Sequence, residues 1–144
     1  MKILLTGTTG YIAQRLLPLL LEGGHELFCC LRDKSRFDLE KYKEFNITLL
    51  DVDFLNPDSL SVIPNDIDAA YYLMHSMSAA SDFSEMEGQT ASNFKMRLEQ
   101  TSVRQVIFLS GIINDKELSK HLDSRKNVEA VSYTHLTLPT NREV

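Results

Sequence analysis

Apolar residues change their spacing several times along the chain, and each change marks the edge of an element. Residues 2–6 form a short apolar run that stops at Gly7, the pattern of a parallel strand buried on both faces. Over residues 11–22 the apolar positions Ile12, Leu16, Leu17, Leu19 and Leu20 recur at helical spacing. Gly23-Gly24 ends that helix, since glycine takes the left-handed conformation at a helix C-terminus without steric cost. Strands are predicted over 26–31, 47–52, 68–74 and 105–109, with helices over 35–44, 82–100 and 116–130. A further short helix starts at Asn56, a good N-cap, with Pro57 at its first position.

Strand then helix, repeated five times, predicts a doubly wound parallel α/β sheet of the Rossmann type, because such crossovers are right-handed. The sheet is expected to be incomplete at the C-terminus. Residues 131–144 have no helical period, and Pro139 argues against a central strand. The run Ser132-Tyr133-Thr134-His135-Leu136-Thr137-Leu138-Pro139 looks like translated adapter sequence. The expected organisation is therefore a truncated domain over 1–130 and a non-native or disordered tail over 131–144.

Composition narrows the function classes. The chain has 144 residues, 43% hydrophobic, which suits one domain. A net charge of -5 gives no support to nucleic-acid binding. No apolar run approaches the roughly 20 residues of a membrane-spanning helix, and the N-terminus meets Thr6-Gly7 too early for a signal-peptide core. A cytoplasmic setting follows as the expectation. Cys29 and Cys30 should point to opposite faces of one strand as buried thiols rather than form a disulfide. No Cys/His spacing resembles a metal site.

The chemistry gathers at the predicted strand ends. Gly7-Thr8-Thr9-Gly10-Tyr11-Ile12-Ala13 lies between the first strand and the first helix. There Gly7 permits the tight turn, Gly10 lets a pyrophosphate approach the backbone, and Ala13 lets helix and sheet lie close. Thr9, Tyr11 and Ile12 complete the loop and helix start whose free N–H groups suit phosphate. The two glycines could also serve turn geometry alone, but their place at the first βαβ turn points to a dinucleotide cofactor. After the second strand, Arg32 and Arg36 suit a 2′-phosphate, which favours NADP(H) over NAD(H). Asp33 could still meet a ribose hydroxyl. Asp53 can accept from the adenine amino group with Phe54 flanking the ring, or it can cap the segment that follows. At the end of the fourth strand Leu73 and His75 should pass beneath the cofactor's ribose and nicotinamide, where a histidine side chain can donate or accept a proton.

Residues 6–13 resemble the TGxxGxxG/A fingerprint of extended and atypical short-chain dehydrogenases/reductases. Tyr71-Tyr72-Leu73-Met74-His75-Ser76-Met77 is similar to the fourth strand of the NmrA-like, NAD(P)H-binding branch. The resemblance covers about residues 1–130 and matches Asp53 to the family's adenine-contacting aspartate. It implies an NAD(P)H-dependent oxidoreductase or epimerase-like enzyme acting on a small organic molecule. Family enzymes carry a serine or threonine after strand five, a place held here by Ser110, and a Tyr-x-x-x-Lys pair on the next helix. That helix offers His121 and Arg125 instead. Ser110, His121 and His75 are therefore the candidate catalytic residues. The missing tyrosine leaves open a second class of function, a non-catalytic NADP(H)-sensing regulator.

Overall fold

Ile3, Leu4 and Leu5 are almost wholly buried because β1 (Lys2–Leu5) runs through the centre of a parallel sheet. The computed structural model describes residues 1–74 and 83–109. Within them β1 pairs on one side with β2 (Glu26–Leu31) and through it with β3 (Ile47–Asp51). On the other side it pairs with β4 (Ala69–Tyr72), which carries β5 (Gln105–Phe108) at its far edge. The order β3-β2-β1-β4-β5 reverses at β1, which places a crevice between β1 and β4 at the carboxyl ends of the strands.

Alternation along each strand feeds two separate cores. Ile3 and Leu5 pack with Ala13, Leu17 and Leu21 of α1 (Tyr11–Glu22) on one face. Leu4 packs with Ala91, Phe94 and Leu98 of α2 (Phe83–Leu98) on the other. The adjacent free thiols divide in the same way, Cys29 into the α1 layer and Cys30 into the α2 layer. Helix α1 spans the predicted residues and continues through Pro18. It closes in a Schellman motif: Gly24 has φ of 81°, its N–H donates to the Leu21 carbonyl, and the His25 N–H donates to the Leu20 carbonyl.

The structure corrects the helix predicted over 35–44. Two 3-10 turns stand there, Lys34–Arg36 and Leu39–Tyr42, separated by extended backbone at Phe37. Phe37 and Tyr42 are both buried, with stacked rings 5.7 Å apart. Five residues on an α-helix turn the side chain by about 140°, so one continuous helix could not bury both on the same face. The segment from Asn56 is likewise a 3-10 helix, Pro57–Val62, with the Asn56 side chain accepting from the Asp58 N–H as expected of its cap. The helix predicted over 116–130 and the tail over 131–144 lie outside the described residues.

Candidate functional site

The turn after β1 is held by buried hydroxyl groups on both sides. Thr6 Oγ1 donates to the Tyr71 carbonyl at 2.9 Å and accepts from the Leu73 N–H at 3.0 Å, which ties the turn to the exit of β4. Thr8 Oγ1 reaches the Leu5 carbonyl at 3.3 Å and the Cys30 carbonyl at 3.1 Å, which ties it to the end of β2. Gln14 Nε2 donates to the Thr8 carbonyl at 2.7 Å, so α1 braces the same loop. Between these anchors Gly7 has φ of 61°, and a Cβ there would lie 2.8 Å from the Leu73 carbonyl oxygen. Only glycine satisfies both demands.

Gly10 then opens α1 with extended backbone and no capping side chain, and the first helical turn has no acidic residue. Its own N–H donates to the Gly7 carbonyl at 2.9 Å. Thr9, Tyr11 and Ile12 are exposed around this uncapped end. The Arg15 guanidinium folds back over the Tyr11 ring, 4.4 Å from its centre, and adds positive charge beside the positive end of the helix dipole. Free N–H donors, no carboxylate and an added cation form a donor set for a diphosphate. A cofactor pyrophosphate therefore fits the residues present.

At the end of β2, Arg32 and Arg36 are exposed. The intervening Asp33 is turned back on its own loop, with Oδ1 accepting from the Ser35 hydroxyl at 2.6 Å and the Ser35 N–H at 3.0 Å. Those bonds, and then the charge of Arg36, hold its carboxyl below the usual carboxylate range.

Past the end of β3, Asp53 is exposed and its Oδ1 accepts from the Leu55 N–H at 3.0 Å. Its neighbour Phe54 is only 5% exposed, with its ring edge-on to Phe94 at 5.8 Å. The structure thus places the Phe54 ring in the core, where the sequence reading set it beside the adenine. Its apolar bulk and position before a helix serve either role, and packing against α2 decides the placement. Asn93 Nδ2 donates to the Phe54 carbonyl at 2.8 Å.

Leu73 lies at the exit of β4, with its backbone against Gly7. His75, Ser110 and His121 lie outside the described residues. Tyr72, at the end of β4, packs on Phe94 and Phe108, and burial followed by the charge of Glu87 pushes its phenol up. It stays protonated as a core side chain. Sequence reasoning quoted Thr6 and Thr8 without giving them a role, and it missed Gln14, Arg15 and Asn93. For the buried Thr6, Thr8 and Asn93 the available signal was a polar residue in an otherwise apolar stretch; Gln14 and Arg15 are exposed and gave none.

Fold and turn together define a dinucleotide-binding domain. The model of the NAD(P)H-binding family matches residues 7–136, and the chain belongs to that family, which bears out the resemblance carried by residues 6–13. No curated protein sequence matches the chain. Among solved structures it is similar to Pen from Bacillus thuringiensis, at 16% identity and a TM-score of 0.81 over 93% of this chain and 44% of that one. It is also similar to a short-chain dehydrogenase/reductase superfamily protein from Agrobacterium tumefaciens with bound NAD, at 15% identity and a TM-score of 0.75, covering 94% and 45%. An NADPH-dependent quinone oxidoreductase from Escherichia coli, complexed with NADPH, aligns at 14% identity and a TM-score of 0.72, covering 92% and 45%. The chain thus spans less than half the length of these three proteins. Among the described residues no helix is long and apolar enough to cross a membrane.

Proposed function

We propose that the chain binds NADP(H) in preference to NAD(H), as the cofactor-binding part of an oxidoreductase or epimerase-like enzyme acting on a small organic molecule. The observation that carries the preference is the loop after β2. Arg32 and Arg36 are exposed there on either side of Asp33, whose Oδ1 accepts two bonds from Ser35 and leaves only Oδ2 for a ribose hydroxyl. A site selective for NAD usually offers an acid to the ribose 2′-hydroxyl; this loop offers arginines, whose planar fork suits a phosphate. In the same reading the uncapped start of α1 takes the pyrophosphate, and Asp53 accepts from the adenine amino group. Leu73 and His75 would pass below the ribose and nicotinamide.

The bound cofactor would supply hydride. The chain's own residues would do the rest: Ser110 orients the substrate, and His121 or His75 moves the proton. Titration of the protein with NADPH and NADH tests the preference, and Arg32→Ala should erase it. Substrate-dependent NADPH oxidation by the full-length protein tests the reaction. The absence of a Tyr-x-x-x-Lys pair in the sequence, where His121 and Arg125 stand instead, supports a second reading, an NADP(H)-sensing regulator. That reading predicts tight NADPH binding with no oxidation in the presence of any small carbonyl or sugar-nucleotide substrate.

A further inference from the structure

Asn93 sits midway along α2 with 4% of its surface exposed, between helix neighbours that build the apolar core, Ala91, Phe94 and Leu98. Burying an amide is unfavourable unless its bonds to water are replaced, so an apolar residue would serve packing better. The amide is engaged at both ends: Nδ2 donates to the Phe54 carbonyl at 2.8 Å, and Oδ1 accepts from Gln89 Nε2 at 2.9 Å. The next residue, Phe94, meets the Phe54 ring. Two consecutive residues of α2 therefore grip one residue of the loop after β3.

The gripped carbonyl belongs to the same peptide unit as the Leu55 N–H, and that N–H donates to Asp53 Oδ1 at 3.0 Å. A peptide unit is planar and stiff, with barriers far above thermal energy. Fixing its carbonyl from one side therefore fixes its N–H on the other, and with it the carboxylate that the N–H holds. A continuous line runs from Asn93 through the Phe54–Leu55 peptide to Asp53. Hydrogen bonds in such a line also polarise one another. Asp53 Oδ2 has no hydrogen-bond partner among the described residues and is the oxygen left to accept from a ligand.

We propose that Asn93 is a positioning residue for adenine recognition, setting through one peptide unit the direction in which Asp53 presents Oδ2. The inference rests on the proposed contact between Asp53 and the adenine amino group.

The test compares NADPH with nicotinamide hypoxanthine dinucleotide phosphate, which lacks that amino group, in the intact protein by direct titration. The unaltered protein should prefer the adenine form by about tenfold or more, the scale of a hydrogen bond to a charged acceptor. Asp53→Ala should bring the ratio near one. Asn93→Leu should bring it within about threefold of one while leaving the ratio of NADPH to NADH affinity unchanged. If Asn93→Leu does not fold, Asn93→Ser decides, since its smaller side chain lets water reach the Phe54 carbonyl. A folded Asn93 variant that weakens both dinucleotides equally, with the adenine preference intact, reduces Asn93 to a packing role and overturns the proposal. If Asp53→Ala itself keeps the preference, the adenine contact falls and this inference falls with it. NADPH binding and its dependence on Arg32 would survive that outcome, so the two failures are distinguishable.

Discussion

The turn after β1 and the loop after β2 lie side by side at the same sheet edge and are built in opposite ways. The first consists of backbone locked in place: a positive-φ glycine against the Leu73 carbonyl, with the buried hydroxyls of Thr6 and Thr8 tied to strands on either side. The second carries exposed side chains on and beside a 3-10 turn that is held by the Asp33–Ser35 bonds, by its own backbone bonds and by the buried Phe37 that follows it. A diphosphate is common to every dinucleotide, so rigid N–H groups suffice for it. A 2′-phosphate distinguishes one dinucleotide from another, and on the proposed reading it falls to exposed residues that can change without disturbing the core. In that reading, recognition of the class and discrimination within it are physically separate.

The sharpest way to break this contrast is Gly7→Ala. A positive φ and a Cβ 2.8 Å from the Leu73 carbonyl oxygen leave no relaxed conformation, and the variant should lose about 3 kcal/mol in urea unfolding. Loss under about 1 kcal/mol would mean that the turn yields easily. Gly10→Val comes next. Gly10 lies at φ of -76°, open to any residue, although a Cβ would crowd the Gly7 carbonyl oxygen at 3.1 Å. The folded variant should bind both NADPH and NADH roughly a hundredfold more weakly, because the side chain fills the approach to the helix start. Calorimetry that shows affinity unchanged would remove the pyrophosphate from this turn.

Arg32→Ala should act on the other region alone. NADPH affinity is expected to fall by about 2 kcal/mol, roughly thirtyfold, while NADH is unaffected. Equal losses for the two cofactors would contradict the division of labour. The smallest effect belongs to Thr8→Val, which removes the hydroxyl joining the turn to Cys30. It should cost about 1 kcal/mol of stability and weaken both cofactors by a similar small factor, and a selective loss of NADPH would show that the two regions are coupled.

The parts of the molecule that obey a local period were legible in the sequence. Helix α1 and strand β2 stand over the predicted residues, because the leucine spacing is helical and Glu26–Leu31 is bounded by turns, although of the apolar positions read as the helical stripe Leu17 is buried while Ile12 and Leu19 are exposed. The loop after β2 was not legible as two turns, since Phe37 and Tyr42 reach one pocket only after the chain breaks its helical path. In the sequence Phe54 is visible only as the neighbour of Asp53, which points it toward the ligand, while its partner Phe94 lies 40 residues away. Thr6, Thr8 and Asn93 share that difficulty. Each is a polar side chain whose meaning lies in a distant carbonyl, at Tyr71, Cys30 and Phe54, and no spacing along the chain announces such a pairing.

The division of Cys29 and Cys30 between the two faces supplies a built-in pair of reporters. Burial pushes the Cys29 thiol up to about 12 and raises Cys30 as well, so neither presents a thiolate to a modifying reagent while its layer is closed. Labelling therefore proceeds only through opening, and Cys29 is uncovered by loss of the α1 layer, Cys30 by loss of the α2 layer. With one thiol replaced by alanine at a time, the labelling rate becomes a clock for a single face of the sheet. The difference between the two clocks measures which layer peels first, from neighbouring residues on one strand.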